Sequence, residues 1–326
     1  MGLKRLRNKT EIEIVPTSPF HFDSTFYKPG HFPSSDTKWK PGKRWQTMLW
    51  QDEQLGLVFE NTGTDNKPKI KVHIFSEKKL SPTFLESLKN EVIWRYNLDL
   101  DLADFYHDLR DDSLLAPIFQ KFRGLRPMNY GSLYEYLIIA IMLQNTVVKR
   151  SVSMLQSLFE KYGALLEFDG QQFWAYWEPK VMALADEQEL RSLKVGYRAK
   201  TLIRVSKPFA DHEINELELR TKAKKEQEET LMSLYGVGPQ SVGYIMFDAF
   251  HHWDYIKNIS PWEQKIYTHI FFNKDHEKNL VPVDKMLKRF EKWGKWKGLA
   301  SNYVWEDIWW KRRNEHILWL ESLIRL

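Results

Sequence analysis

The chain contains no cysteine, and that single absence removes several chemistries together. Disulfide cross-links, thiolate-ligated zinc, iron–sulfur clusters and cysteine nucleophiles are all excluded. Long hydrophobic runs are missing too: the longest, Leu137–Leu143, is far too short to span a bilayer. The first ten residues carry Lys4, Arg5, Arg7 and Lys9, but no apolar stretch of signal length follows, so no secretory signal is expected. Gly2 follows Met1, yet Leu6 stands where a myristoylation pattern needs serine or threonine. There is no internal repeat of short period. Charge of one sign is only weakly in excess: 48 Lys and Arg against 43 Asp and Glu leave +5, with a pI of about 9.0. Such a balance permits a polyanionic partner without demanding one. These absences together lead to the expectation of a soluble protein of the cytoplasm.

What is abundant is aromatic. Fourteen Trp, 14 Tyr and 19 Phe make 14% of the 326 residues, a load that points to large cores or to stacking surfaces. A composition of 43% hydrophobic and 28% charged residues rules out wholesale disorder, and the length allows two domains or three small ones.

The patterning changes along the chain. Residues 10 to about 76 read as strands: Ile70, Val72 and Ile74 alternate with Lys71 and His73, and Trp45–Trp50 and Leu55–Phe59 look alike. Gly63 and Asp65–Asn66 supply turn chemistry, and the Pro- and Gly-containing stretch 28–41 reads as a loop or partly disordered. Near Ser81 the period switches. Ser81 is an N-cap, Pro82 fits the first helical position, and Leu85, Leu88 and Val92 keep helical spacing. Ser132-x-x-Glu135 forms a capping-box pattern ahead of Leu137–Leu143, and Asp186-x-x-Glu189 repeats it. The expected fold class is α+β: a small N-terminal antiparallel sheet domain with a helix over residues 1–100, then an all-helical region over 101–326.

The most informative segment runs from Leu231 through Gly236-Val237-Gly238 to Tyr244. An apolar helix end meets two glycines flanking one small residue, and a second helix begins near Pro239. The glycines let the backbone turn sharply, and the second helix then presents free N–H groups that suit a nucleic-acid phosphate without reading bases. Gly236, Val237, Gly238, Gln240 and Ser241 are the hairpin candidates for that contact. An ordinary corner between two helices would use the same residues.

The segment resembles the hairpin of the helix-hairpin-helix DNA glycosylase superfamily, and the order of motifs resembles its alkylpurine branch, 3-methyladenine DNA glycosylase II. Gly124–Pro127 and then Tyr134–Gly163 look like that branch's early helical pair. Leu193–Lys200 resembles the turn that follows, and Trp293–Trp305 its tryptophan-rich segment, with Lys295 in place of a proline. The likeness spans roughly residues 10 to 320. It implies two helical lobes with a cleft between them, and a monomer acting on double-stranded DNA that holds a damaged base. It also implies excision of alkylated purines such as 3-methyladenine and 7-methylguanine in base excision repair; the alternatives are a non-catalytic DNA-binding protein of this fold that has lost the catalytic aspartate, or a glycosylase for oxidised or deaminated bases. Location follows as cytoplasmic and nucleoid-associated, or nuclear in a eukaryote. The family's hairpin can hold a monovalent cation through backbone carbonyls, and no other cofactor is expected. The ten histidines show no metal-ligand spacing, so no metal is expected either.

Breaking an N-glycosidic bond places positive charge on C1′, which a fixed carboxylate stabilises. The family uses an aspartate in a Pro-x-Asp pattern at a helix start. Here Pro261-Trp262-Glu263 falls on that pattern, 25 residues after Gly238, with glutamate in place of aspartate. Glu263 is therefore the catalytic candidate, or else a favourable charge in a first helical turn. Val281-Pro282-Val283-Asp284 also matches the family's wording but stands 46 residues after Gly238. Asp284 is thus the runner-up, read as the N-cap of a helix over Lys285–Trp293, and Asp254 is a weaker third. Bifunctional relatives carry a Schiff-base lysine two residues after the second hairpin glycine. Gln240 occupies that position, so lyase activity is not expected.

The resemblance places Tyr244 and Trp305 at aromatic positions of the base pocket, and Trp262 is added from its place beside Glu263. Eight of the 14 tryptophans lie after residue 250, and most are expected to be core. Gln144, Asn145 and Thr146 occupy the loop that the family inserts into DNA to fill the gap left by a flipped base, and a solvated turn reads equally well. From Asp284 to Arg325 ten basic and six acidic residues leave a local +4, in keeping with phosphate neutralisation or with a solvated face.

Overall fold

The structure, a computed structural model, describes residues 2–28, 32–129 and 131–323. Eight strands and sixteen α-helices are formed by these residues. The strands are β1 (Lys4–Arg5), β2 (Asn8–Ile14), β3 (Thr37–Lys40), β4 (Lys43–Trp50), β5 (Glu53–Asn61), β6 (Ile70–Ser76), β7 (Ala164–Phe168) and β8 (Gln171–Ala175). The first helices are α1 (Phe22–Phe26), α2 (Pro82–Arg95), α3 (Ala103–Leu109), α4 (Leu115–Lys121), α5 (Leu133–Leu143) and α6 (Val148–Tyr162). There follow α7 (Pro179–Ala183), α8 (Glu187–Leu190), α9 (Arg198–Ala210), α10 (Glu216–Leu219) and α11 (Lys224–Ser233). The chain closes with α12 (Pro239–Asp248), α13 (Pro261–Phe272), α14 (Val283–Glu291), α15 (Lys297–Asn314) and α16 (Leu318–Leu323).

The fold is α+β, and the described chain separates into two compact units. The first comprises residues 1–101, 124–223 and 234–236; the second comprises 102–123, 224–233 and 237–326. This grouping does not follow a border at residue 100. The five-stranded sheet is antiparallel throughout, in the order β2-β6-β5-β4-β3. Its period-2 residues Val72 and Ile74 are fully buried, with Leu55, Leu57 and Phe59 beside them and Leu88 and Val92 of α2 in the same core. Ser81 caps α2 by accepting from the Phe84 N–H at 3.1 Å, with Pro82 in the first turn.

Two features of the first unit depart from the sequence expectation. The region after residue 100 is not all helical: β7 and β8 form a hairpin around Asp169-Gly170, both at positive φ, and β7 pairs in parallel with β1. The Asp-Gly turn matches the twist of a tight hairpin. Leu166, Phe168 and Phe173 pack with Trp45, Val58 and Phe75 of the sheet, which explains why this hairpin joins the N-terminal strands. Gly56 in β5 permits the approach, since a Cβ there would lie 2.4 Å from the Phe168 ring. Secondly, the stretch read as strands also contains α1, and the 28–41 stretch contains β3, whose Trp39 Nε1 donates to Asp23 at 3.2 Å. Residues 29–31 of that stretch lie outside the described residues.

The second unit is helical among its described residues, with Phe105, Tyr267, Phe290, Trp293 and Tyr303 fully or almost fully buried. Here α14 begins two residues earlier than expected. Its N-cap is Pro282, so Asp284 sits exposed within the first turn and caps nothing. The extended Pro282 backbone already ends the preceding loop, and the helix starts at Val283 without a side-chain cap. No helix among the described residues is long and apolar enough to cross a membrane.

Candidate active site

The hairpin turn forms where the glycines stand. Gly236 holds φ at +79°, and a Cβ there would meet the Thr201 methyl at 2.5 Å, so both conformation and space require glycine. Gly238 is the extended N-cap of α12, with Pro239 in the first turn and the Val242 N–H bonded to the Gly238 carbonyl at 3.0 Å. The free amides of that first turn are those of Gln240 and Ser241.

Within the second unit, α12 and α13 bring three of the predicted residues together. Ser260 and Glu263 form a complete capping box on α13: the Ser260 Oγ accepts from the Glu263 N–H at 3.3 Å, and Glu263 Oε2 accepts from the Ser260 N–H at 2.8 Å. The Tyr244 hydroxyl donates to Glu263 Oε1 at 3.0 Å, and Gln240 Nε2 donates to Oε2 at 3.2 Å. Gln240 Nε2 also lies 3.1 Å from the Tyr244 oxygen. Glu263 is only 7% exposed, so its carboxylate is fixed by three donors and by the amide end of a helix. Tyr244 keeps 43% of its surface exposed while its hydroxyl faces inward. Burial of that hydroxyl, and then the Glu263 charge beside it, push its pKa well above the usual tyrosine range. The phenol is therefore a lasting proton donor to Glu263 near neutral pH. Tyr267, one turn further along α13 and buried, is raised for the same two reasons.

Trp262 and Trp305 meet face to face, with centroids 5.1 Å apart and planes 12° from parallel. Trp305 Nε1 donates to the Tyr267 oxygen at 2.7 Å, and Trp262 Nε1 to the Leu323 carbonyl of α16 at 2.8 Å. The two predicted pocket tryptophans thus stack on each other, which covers one face of Trp305. Trp309 stands at 6.1 Å from Trp305 and extends the aromatic run. Aromatic faces of this kind attract an electron-poor or cationic ring.

The other candidates are placed elsewhere. Asp254 is held by Lys224 Nζ at 2.6 and 2.7 Å on the surface. Gln144, Asn145 and Thr146 join α5 to α6 in the first unit, with Asn145 exposed at φ +47°. Gln144 Nε2 donates to the Gly236 carbonyl at 2.9 Å, Asn145 Nδ2 to the Tyr197 oxygen at 3.3 Å, and Arg198 to the Gln144 carbonyl. Much of the basic C-terminal charge is paired internally: Arg289 with Asp112, Lys297 with Glu291, Lys311 with Asp307 and Arg312 with Glu321. Lys285, Lys288 and Lys292 carry no ion pair among the described residues.

Sequence reasoning placed Gln240 among DNA contacts and saw in it only a missing lysine; the structure turns its amide onto Glu263. The separation of 23 residues concealed that pairing. Reasoning from sequence also missed Ser260 as the partner of Glu263, although Ser-x-x-Glu had been recognised elsewhere in the chain. A small cavity lies in the first unit, lined by Asp36, Gln46, Asn129, Glu135, Ile139 and Tyr176 among others. Burial pushes the carboxyl groups of Asp36 and Glu135 above the usual range there.

Comparison with known proteins places this arrangement in a class. The model of the HhH-GPD superfamily base excision DNA repair protein matches residues 138–304, which include the hairpin, the Glu263 helix and the tryptophan segment up to Val304. The chain belongs to that superfamily of base excision DNA glycosylases. It is 22% identical over 251 residues to the DNA-3-methyladenine glycosylase of Bacillus subtilis, covering 73% of this chain and 82% of that protein. Among solved structures it is similar to the 3-methyladenine DNA glycosylase from Archaeoglobus fulgidus, with a TM-score of 0.71, 14% identity, and 91% and 99% of the two chains covered. It is also similar to the Clostridium acetobutylicum 8-oxoguanine glycosylase/lyase solved with double-stranded DNA containing cytosine opposite 8-oxoG. That match has a TM-score of 0.67, 19% identity, and 93% and 98% coverage.

Proposed function

We propose that the protein is a monofunctional glycosylase that hydrolyses the N-glycosidic bond of alkylated purines, of the 3-methyladenine and 7-methylguanine type, in double-stranded DNA. The observation that carries this reading is the Glu263 carboxylate, buried and fixed by Ser260, Tyr244 and Gln240. In this role its charge faces the C1′ cation as the bond breaks and orients the attacking water. The extra methylene of glutamate is taken up by the capping box, which folds the side chain back onto its own helix start. Aromatic faces favour an electron-poor methylated base over a neutral one. The Bacillus and Archaeoglobus proteins, named for 3-methyladenine, support the alkylpurine choice, and the Clostridium complex supports duplex DNA as the partner. The protein acts as a monomer.

Release of free methylated base from an alkylated duplex tests this, with wild type compared against Glu263→Gln. Activity in the wild type and loss in the variant is the expected result. Release of 8-oxoguanine with none from the alkylated duplex would move the substrate class. Gln240 lacks the amine a Schiff base needs, so borohydride traps no covalent protein–DNA adduct; a trapped adduct would overturn the monofunctional assignment.

A second reading has its own observation. Both oxygens of Glu263 already accept hydrogen bonds, as a purely structural cap would. A non-catalytic DNA-binding protein of this fold would bind duplex DNA and release no base from any damaged substrate.

A further inference from the structure

Three ligand-type side chains that lie apart from the Glu263 network converge at the far end of its helix. His269 sits in the last turn of α13, and Asn273 closes that helix in the left-handed conformation, φ 49° and ψ 43°. The Asn273 N–H returns to the His269 carbonyl at 3.0 Å and the Lys274 N–H to the Thr268 carbonyl at 3.2 Å. This closure folds the chain back so that Asp275 and His276 lie over His269. The ligand atoms of the three side chains all lie within 4.8 Å of one another.

We propose that His269, Asp275 and His276 bind a borderline divalent transition-metal ion of the Zn²⁺ type, with two imidazole nitrogens, one carboxylate oxygen and a fourth position left to water. The donor set suits that class of ion rather than Mg²⁺ or Ca²⁺, which take oxygen ligands. His269 Nε2 and His276 Nδ1 face each other at 2.8 Å. One ring N–H lies in this contact, and a metal binds once that ring carries its proton on its other nitrogen, which leaves both facing lone pairs for the ion. Bonds of about 2.0–2.1 Å in a tetrahedral site separate two nitrogens by roughly 3.3 Å, so the pair opens by about half an ångström. One oxygen of Asp275 accepts from the Glu277 N–H at 3.0 Å. Its other oxygen has Lys278 at a distant 3.8 Å.

The site is also rigid on one side. The His269 ring stacks on Trp319 of α16 with centroids 4.0 Å apart and planes 9° from parallel. The same short helix receives the Trp262 indole N–H at Leu323. An ion at His269 therefore clamps α13 to the turn that follows it and steadies the α16 contact next to Glu263.

The test uses full-length protein without a histidine tag, titrated with Zn²⁺ by calorimetry and with Co²⁺ by visible absorption and tryptophan fluorescence. One ion per chain is expected, with a Co²⁺ spectrum of low coordination number and quenching of Trp319. His276→Asn weakens binding by at least about tenfold and abolishes the quenching. Asp275→Asn, on an exposed turn, gives a second variant that leaves the fold untouched and also weakens binding. Absence of Zn²⁺ binding at millimolar concentration overturns the proposal, as does binding whose affinity is the same in wild type and both variants.

Discussion

Ser132-x-x-Glu135 at α5 and Ser260-x-x-Glu263 at α13 are the same four-residue device in the two units. Each is a complete capping box, and each glutamate is 7% exposed. What differs is the company. Glu135 Oε2 lies 3.9 Å from Arg95 Nη1, and the acidic groups Asp36 and Glu216 act on it through space. Burial outweighs the arginine and pushes its pKa up to about 7. Arg95 is committed to Glu91 at 2.6 Å, and Arg220 holds Glu91 and Glu216, so the cluster around Glu135 is saturated with its own charges. Glu263 has no ion pair among the described residues. Its extra donors are neutral, a phenol and an amide. A local motif therefore fixes where a carboxylate sits, while residues far away in sequence decide which charges and donors surround it.

The sharpest way to break this comparison is to make the same substitution in both boxes. Glu263→Gln keeps the cap, since a glutamine oxygen still accepts from Ser260, but removes the charge. Base release falls by about 100- to 1000-fold with little change in thermal midpoint. Glu135→Gln leaves base release within about threefold of wild type, measured on the same alkylated duplex. Equal losses in both variants would show that the two boxes are not functionally different.

The next effect is on stability. The Glu135 pKa is raised from 4.5 to about 7 on folding, so the folded state binds more protons between those values. Its favourable contribution is fully present below about pH 4.5 and is lost as pH rises through about 7, amounting to on the order of 3 kcal/mol. Glu135→Gln removes this dependence. Denaturant melts from pH 4.5 to 8 should show the variant gaining on wild type as pH rises, and a constant difference would refute the assignment. A smaller effect comes from Tyr244→Phe, which keeps the ring and deletes the donor to Glu263. The loss of one such hydrogen bond costs roughly tenfold or less in single-turnover rate, with substrate binding unchanged. Asp284→Asn comes last. That side chain is exposed and caps nothing, so activity stays within about twofold.

Legibility in the sequence followed the range of the interaction. Both caps of the early helices, Ser81 and Ser132, were readable because their partners lie three residues away. So were the alternation of β6 and the hairpin glycines. The β7–β8 hairpin was readable in principle from Asp169-Gly170 between alternating residues, but the helical signals around it masked a short strand pair. Its pairing with β1 was not readable, since Lys4 meets Leu166 across most of the first unit's sequence. Glu263 is singled out as a candidate by its motif alone. Gln240 over Glu263 and Trp262 on Trp305 depend on how α12, α13 and α15 pack, and no local spacing encodes that. His269 and His276 are seven apart with a left-handed turn between them, a geometry that straight helical spacing does not describe.

The division of the chain into two units has a consequence for its synthesis. The segment 102–123 belongs to the second unit, but the remainder of that unit begins only at Lys224. A ribosome adding about 5–20 residues per second makes α3 and α4 roughly 5–20 s before the rest of that unit emerges. Throughout that interval Phe105 lacks Trp296 and Tyr303, and Asp112 lacks Trp293. The nascent chain thus carries α3 and α4 with their aromatic faces unpartnered until the tryptophan-rich C-terminal helices have been made.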